Sequence, residues 1–234
     1  MKTTKICVSV IGRNSEFIIK NAKKAKRAGA ELIELRMDFL RNLDESKVEE
    51  ITKKVEKVGL LTILTIRKKE FGGNFLGKES EQLALLLSGA EKVDFIDIEL
   101  ETKETLLREF VKKVKAIGKK VIISSHNFNE TPELRGILDT LEKEKKFGAD
   151  VCKFVSRANT IADNLRILSA NQIFEHKKVL FCSGKLGKPS RILAPLFGSE
   201  WTFASLQKGK DTMEGQLDIR TTKNLIEKLT DERK

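Results

Sequence analysis

Two residues of this 234-residue chain could make and break bonds together: His126 in VIISSHNF and Lys153 in ADVCKFV. Each stands near the C-terminal end of a short apolar run that predicts a β-strand, and one strand–helix unit separates them. Lys153 is flanked by Val151, Cys152, Phe154 and Val155. Burying an ammonium is costly unless it is paired with an anion or gives up its proton. An amine without that proton attacks carbonyls, and a histidine supplies a proton acceptor that works near neutral pH. The pair points to imine chemistry on a small ketone or aldehyde.

The elements that must position these groups are regular. Apolar, β-branched runs recur at 5–12, 31–38, 60–67, 93–100, 120–128, 149–155, 178–184 and 201–205. Amphipathic helical patterns lie between them at 15–30, 44–59, 103–119, 131–149 and 159–174. Asp44 and Thr131 read as helix N-caps, Pro132 as a first helical position, and Gly29, Gly59, Gly118 and Gly148 as helix ends. Eight strands alternating with helices predict parallel units with right-handed crossovers. Over this length that is an α/β fold, a (β/α)8 TIM barrel, forming a single catalytic domain over 1–234. An open doubly wound sheet is the alternative. Against it, GRNSEF follows the first strand where a Gly-rich phosphate turn would stand.

Alternation along each strand sorts the polar residues to one face. Glu34 and Arg36 point one way in the second strand, Thr65 and Arg67 in the third, Asp97 and Glu99 in the fourth. Ser124 joins His126 in the fifth, and Lys153 joins Val151 and Val155 in the sixth. The apolar set must meet the helices, so the polar set faces the barrel interior, toward the strand ends where barrels of this kind place catalysis. His176, in IFEHKK, reads as a surface residue.

Composition removes other classes. The formal net charge is +11, but the lysines alternate with glutamates along helical patterns such as EEITKKVEKV. That describes a solvated, ion-paired face and argues against nucleic-acid binding. No apolar run has membrane-spanning length, and no signal-peptide pattern opens the chain. Cys7, Cys152 and Cys182 lie inside apolar strands without metal-like spacing, as expected of buried thiols in a cytoplasmic protein.

ELRMD (34–38), TIR followed by GG (65–73), VDFIDIEL (93–100), SSHNF (124–128), the lysine of DVCKFV, SRILAPLFGSEWTFAS (190–205) and EGQLDI (214–219) together resemble the type I 3-dehydroquinate dehydratase family. The resemblance spans nearly the whole chain, in order. It implies a (β/α)8 enzyme of the shikimate pathway that dehydrates 3-dehydroquinate to 3-dehydroshikimate with no metal and no organic cofactor. By resemblance, Lys153 forms the Schiff base and His126 removes the C2 proton and assists departure of the C1 hydroxyl. Arg191 matches the carboxylate-binding arginine, while Glu34, Arg36 and Arg67 match residues that hold ring hydroxyls. Gln216 matches a glutamine on a loop closing over the site, and Thr212 stands where the family often has serine. Arg36 and Arg67 would also keep Lys153 deprotonated by adding positive potential. One position departs: where the family often has glutamate before the glycine pair, this chain has Phe71. Glu70 or Glu99 is then expected to support His126. Family analogy also predicts a homodimer.

Two other readings compete. A Schiff-base aldolase acting on a phosphorylated sugar would need a phosphate nest, for which CSGKLGKPSR offers two glycines. A non-enzymatic basic protein binding RNA or a protein partner would leave the interior histidine and lysine without a purpose.

Overall fold

A computed structural model describes residues 4–207 and 213–230. The strands are β1 (Lys5–Ile11), β2 (Leu32–Arg36), β3 (Leu61–Thr65), β4 (Phe95–Glu99), β5 (Lys120–Asn127), β6 (Val151–Arg157), β7 (Lys178–Ser183) and β8 (Trp201–Ala204). The helices are α1 (Ser15–Arg27), α2 (Glu45–Glu56), α3 (Glu79–Ser88), α4 (Glu104–Ala116), α5 (Leu134–Lys146), α6 (Asp163–Ile173), α7 (Lys188–Leu193) and α8 (Ile219–Thr230). All strand pairs are parallel, in the order β7-β6-β5-β4-β3-β2-β1-β8. The Glu200 amide donates to Lys178 O (2.8 Å), which draws the entry of β8 to that of β7 and nearly closes the ring. The fold is the single-domain (β/α)8 barrel that alternation predicts, not an open sheet.

Two apolar layers build it. Ile33, Leu35, Leu64, Ile96, Ile98 and Ile123 leave the barrel outward and meet the helices. Cys7, Leu32, Ile63, Phe95, Ile122, Val151 and Trp201 fill the barrel below the polar residues. Asp44 caps α2 as expected, accepting from the Lys47 amide at 2.8 Å. Gly29, Gly59, Gly118 and Gly148 end helices with positive φ, between 71° and 94°. The expected start of α5 is displaced. The helix begins at Leu134, and the Thr131 hydroxyl instead donates to Arg157 O (2.8 Å), tying the loop to β6. Neither Thr131 nor Pro132 is therefore a helix-start residue. His176 is half-buried, with Nε2 2.8 Å from Ala149 O, rather than a free surface group.

Candidate active site

The polar residues assemble because strand register aligns them. Ser9 pairs with Glu34; Arg36 with Thr65 and Thr65 with Asp97; Glu99 with Ser124 and Ser124 with Lys153. Side chains at paired positions of parallel strands share a face, so these rows rise together inside the barrel. They open at its C-terminal end into a cleft.

Lys153 is the centre of that cleft and is buried. Its Nζ lies 2.8 Å from Asp97 Oδ2 and 3.3 Å from Glu34 Oε1, and 4.9 Å from the centroid of the Phe203 ring. Of the two ways a buried lysine is tolerated, pairing is the one adopted. Carboxylates, not the arginines, are its nearest charged neighbours. Asp97 bridges two cations, with Oδ1 2.6 Å from Arg67 Nη2. Burial alone would raise the Asp97 pKa, but Arg67 and Lys153 overcome it and hold the group well below the usual carboxylate range. Glu34 is lowered too, against its own burial, by Lys153 and Arg36. It accepts from the Ser9 hydroxyl (2.7 Å) and the Thr65 hydroxyl (3.2 Å).

The two arginines are locked from behind. Arg36 binds Asp38 through both Nε (2.9 Å) and Nη2 (2.8 Å), and Asp38 also accepts from the Asn74 amide (3.1 Å). Arg67 donates to the Ser124 hydroxyl (2.7 Å) and pairs with Glu99 at 3.3 Å. Glu99 in turn accepts from Gln82 Nε2 (2.8 Å) and the Lys68 amide (3.2 Å).

His126 lines the cleft with a partly exposed edge, while its Nδ1 is enclosed and has no hydrogen-bond partner among the described residues. Desolvation by the surrounding protein, with Arg67 and Lys153, holds its pKa well below 6.5; Asp97 opposes them. His126 is therefore a neutral imidazole at pH 7. Neither expected carboxylate supports it. Glu99 is committed to Arg67 and Gln82, and the Glu70 side chain is 60% exposed and paired with Lys68 at 3.0 Å. Phe71 lines the cleft instead.

Arg191 and Gln216 reach the same cleft from other elements. Arg191 is buried on α7, with its guanidinium carbon 4.3 Å from the Phe181 ring centroid. The Ser190 hydroxyl accepts from the Cys182 amide (2.9 Å), and Asn164 accepts from the Ser190 amide (3.0 Å), so β7 and α6 both fix α7. Gln216 is buried in a segment seated on the end of β7. There the Gly184 amide donates to Glu214 O (3.0 Å), and a Cβ on Gly215 would stand 2.0 Å from Gly184 O. Thr212 lies outside the described residues. Glu34, Arg36, Arg67, His126, Lys153, Arg191 and Gln216 thus share one cleft.

Strand alternation missed some of its wall. Ser9 was legible, since KICVSVI sets it on the face of Cys7. Asp38 stands beside Arg36 in sequence, yet its bidentate grip depends on the turn after β2. Phe71, Phe181, Phe203 and Met213 form an apolar side; Phe181 and Phe203, inside strands, read from sequence as ordinary core.

The sequence profile described as type I 3-dehydroquinase matches residues 6–232. The 3-dehydroquinate dehydratase of Methanothermobacter thermautotrophicus is 38% identical over 229 residues, covering 98% of this chain and 99% of that one. The enzyme of the same description from Methanobrevibacter smithii is 35% identical, covering 95% of both. Among solved structures, the 3-dehydroquinate dehydratase of Aquifex aeolicus VF5 superposes with a TM-score of 0.85 at 34% identity, covering 99% of this chain and 100% of that one. The type I enzyme of Clostridium difficile, solved with covalently modified comenic acid, gives 0.91 at 28% identity, covering 97% and 93%.

Proposed function

The chain belongs to the type I 3-dehydroquinase family, and from that premise we propose that Lys153 and His126 carry its chemistry through an imine. The activity is that of a hydro-lyase, the dehydration of 3-dehydroquinate. The observation that carries the residue assignment is the single cleft in which a paired lysine, a neutral histidine and three buried arginines meet.

In this reading Lys153 first releases a proton. Glu34 and Asp97 hold the ammonium as its ion-pair partners, and neutral His126 in the same cleft is the acceptor. The amine attacks the C3 ketone, and protonated His126 returns its proton to the carbinolamine hydroxyl, which leaves as water and gives an iminium beside a neutral imidazole. That cation acidifies the C2 proton, which His126 removes to give an enamine. Protonated His126 then delivers the proton to the departing C1 hydroxyl. Hydrolysis of the conjugated iminium frees Lys153 and 3-dehydroshikimate, so one water is lost overall. Arg191 suits the substrate carboxylate through a planar fork of donors. Glu34, Arg36 and Arg67 suit the ring hydroxyls, and Gln216, buried at the same cleft, helps to exclude water. The covalently modified ligand of the Clostridium difficile relative is consistent with this chemistry.

Borohydride reduction with 3-dehydroquinate, followed by peptide mass spectrometry, tests it. The expected product is a reduced adduct on Lys153, absent from Lys153→Ala, which has no turnover. Consumption of substrate by Lys153→Ala would reject the mechanism. A trapped sugar phosphate, with no adduct from 3-dehydroquinate, would favour the aldolase reading instead.

We assign the enzyme to the cytoplasm on its three buried free thiols. We also assign a homodimer contact to the exposed apolar side chains Ile161, Leu165 and Ile173 at α6. Sedimentation equilibrium reading a monomer at micromolar concentration would remove that assignment.

A further inference from the structure

We propose that Phe128 is a positioning residue for His126: its ring, seated on Gly72, fixes the plane in which the imidazole meets the substrate. The observations are independent of one another. The two rings stack with centroids 5.6 Å apart and planes 21° from parallel. They can do so because residues two apart along an extended chain share a face. Phe128 is not among the residues lining the cleft, and its ring meets the imidazole of His126, which is.

The other side of Phe128 is built to receive it. Gly72 has φ +78°, and a Cβ there would lie 2.6 Å from Phe128 Cζ. Gly73 would place a Cβ 2.0 Å from Arg67 O, so the second glycine lets the loop fold back on the end of β3. The pair thereby presents bare backbone to the phenyl ring.

His126 needs such a support because its own ring nitrogen supplies none. A histidine base is ordinarily oriented by a hydrogen bond at its second nitrogen. Here Nδ1 is enclosed without a partner among the described residues, and the imidazole torsion is intrinsically broad. Stacking on Phe128 narrows that torsion. The charged groups around the imidazole, Arg67 just past β3, Lys153 from β6, Asp97 from β4 and Arg36 from β2, set its protonation but not its plane.

The inference rests on His126 acting as the base. If His126→Ala turned over at the wild-type rate, that reading would fail; if His126→Ala were inactive and Phe128→Leu fully active, only the positioning role would fail. Phe128→Leu keeps apolar bulk without a ring face. We expect its kcat to fall about tenfold or more, since a misplacement of ~1 Å can cost a hundredfold, while KM changes little. The Lys153 borohydride adduct should still form, and the acid limb of kcat should move up toward the ordinary histidine value as water reaches the ring. Phe128→Trp should restore most of the rate. Unchanged kcat, or a rise in KM alone, would overturn the proposal. A second measurement needs no variant at position 128. The chain has two histidines, so His176→Gln assigns the NMR signals. The His126 ring protons should carry the upfield shift of a stacked phenyl, and ordinary shifts would overturn it.

Discussion

Asp97 shows how much one buried carboxylate can hold. It contacts Lys153, Arg67 and the Ser124 hydroxyl at 2.8, 2.6 and 2.6 Å. Removing one partner of a buried pair leaves the other charge uncompensated, at a cost of roughly 3–5 kcal/mol. Asp97→Asn should therefore lower the urea unfolding midpoint by a corresponding amount. An unchanged midpoint would show that Glu34 and Glu99 suffice for the two cations. At this scale the sequence was half legible. The face on which Asp97, Glu99, Ser124 and Lys153 lie follows from period-two alternation. Which carboxylate meets which cation does not, because it depends on strand stagger around the ring. Phe128 was opaque for another reason: an aromatic residue at a loop end carries the same signal whether it packs a core or orients a base.

Among the elements, the five amphipathic helical patterns all form, trimmed by a few residues. The three helices left unread have physical causes. α3, ESEQLALLLS, buries Gln82, Leu83, Leu85 and Leu86 and begins beside Lys78, so its periodicity is weak and no usual cap announces it. α7 spans six residues, too few to show a period. α8 follows a charged stretch, KGKDTMEGQ, that obscures its start. The segment before α8 carries the element-scale prediction. Gly215 has φ +84° and packs on Gly184, so Gly215→Ala must lift Gln216 off the end of β7. A shift of ~1 Å at a positioning group is worth about a hundredfold in kcat/KM, and the melting temperature should move little because the barrel core is untouched. Wild-type kinetics in that variant would separate Gln216 from catalysis.

Across the whole molecule, acidity divides its effects by sign. Glu34 and Asp97 have pKa values lowered by folding, so the stability they contribute is full above their unfolded values near 4.5 and 3.8 and is lost as pH falls through the folded ones. His126 adds to the loss earlier, because the unfolded chain takes a proton near pH 6.5 that the folded chain refuses. Glu144, buried on α5, works in the opposite sense. Burial pushes its carboxyl well above 4.5, so folding is penalised as pH rises beyond that value. Glu144→Gln should raise the unfolding midpoint at pH 7, by about 1 kcal/mol, and not at pH 4; equal effects at both would refute the assignment of its proton.

The interior itself is close to electroneutral. Arg36, Arg67, Lys153 and Arg191 face Glu34, Asp38, Asp97 and Glu99 within one buried region. An iminium carries the same single positive charge as the ammonium it replaces. In the proposed reaction the carboxylates beside the resting lysine are thus already a counter-ion shell for the intermediate. Dipoles in a folded site that need not reorient cost no reorganisation when charge appears. On that proposal the barrel solvates the covalent intermediate before any substrate arrives, as an ionic liquid would, but with every ion fixed in place.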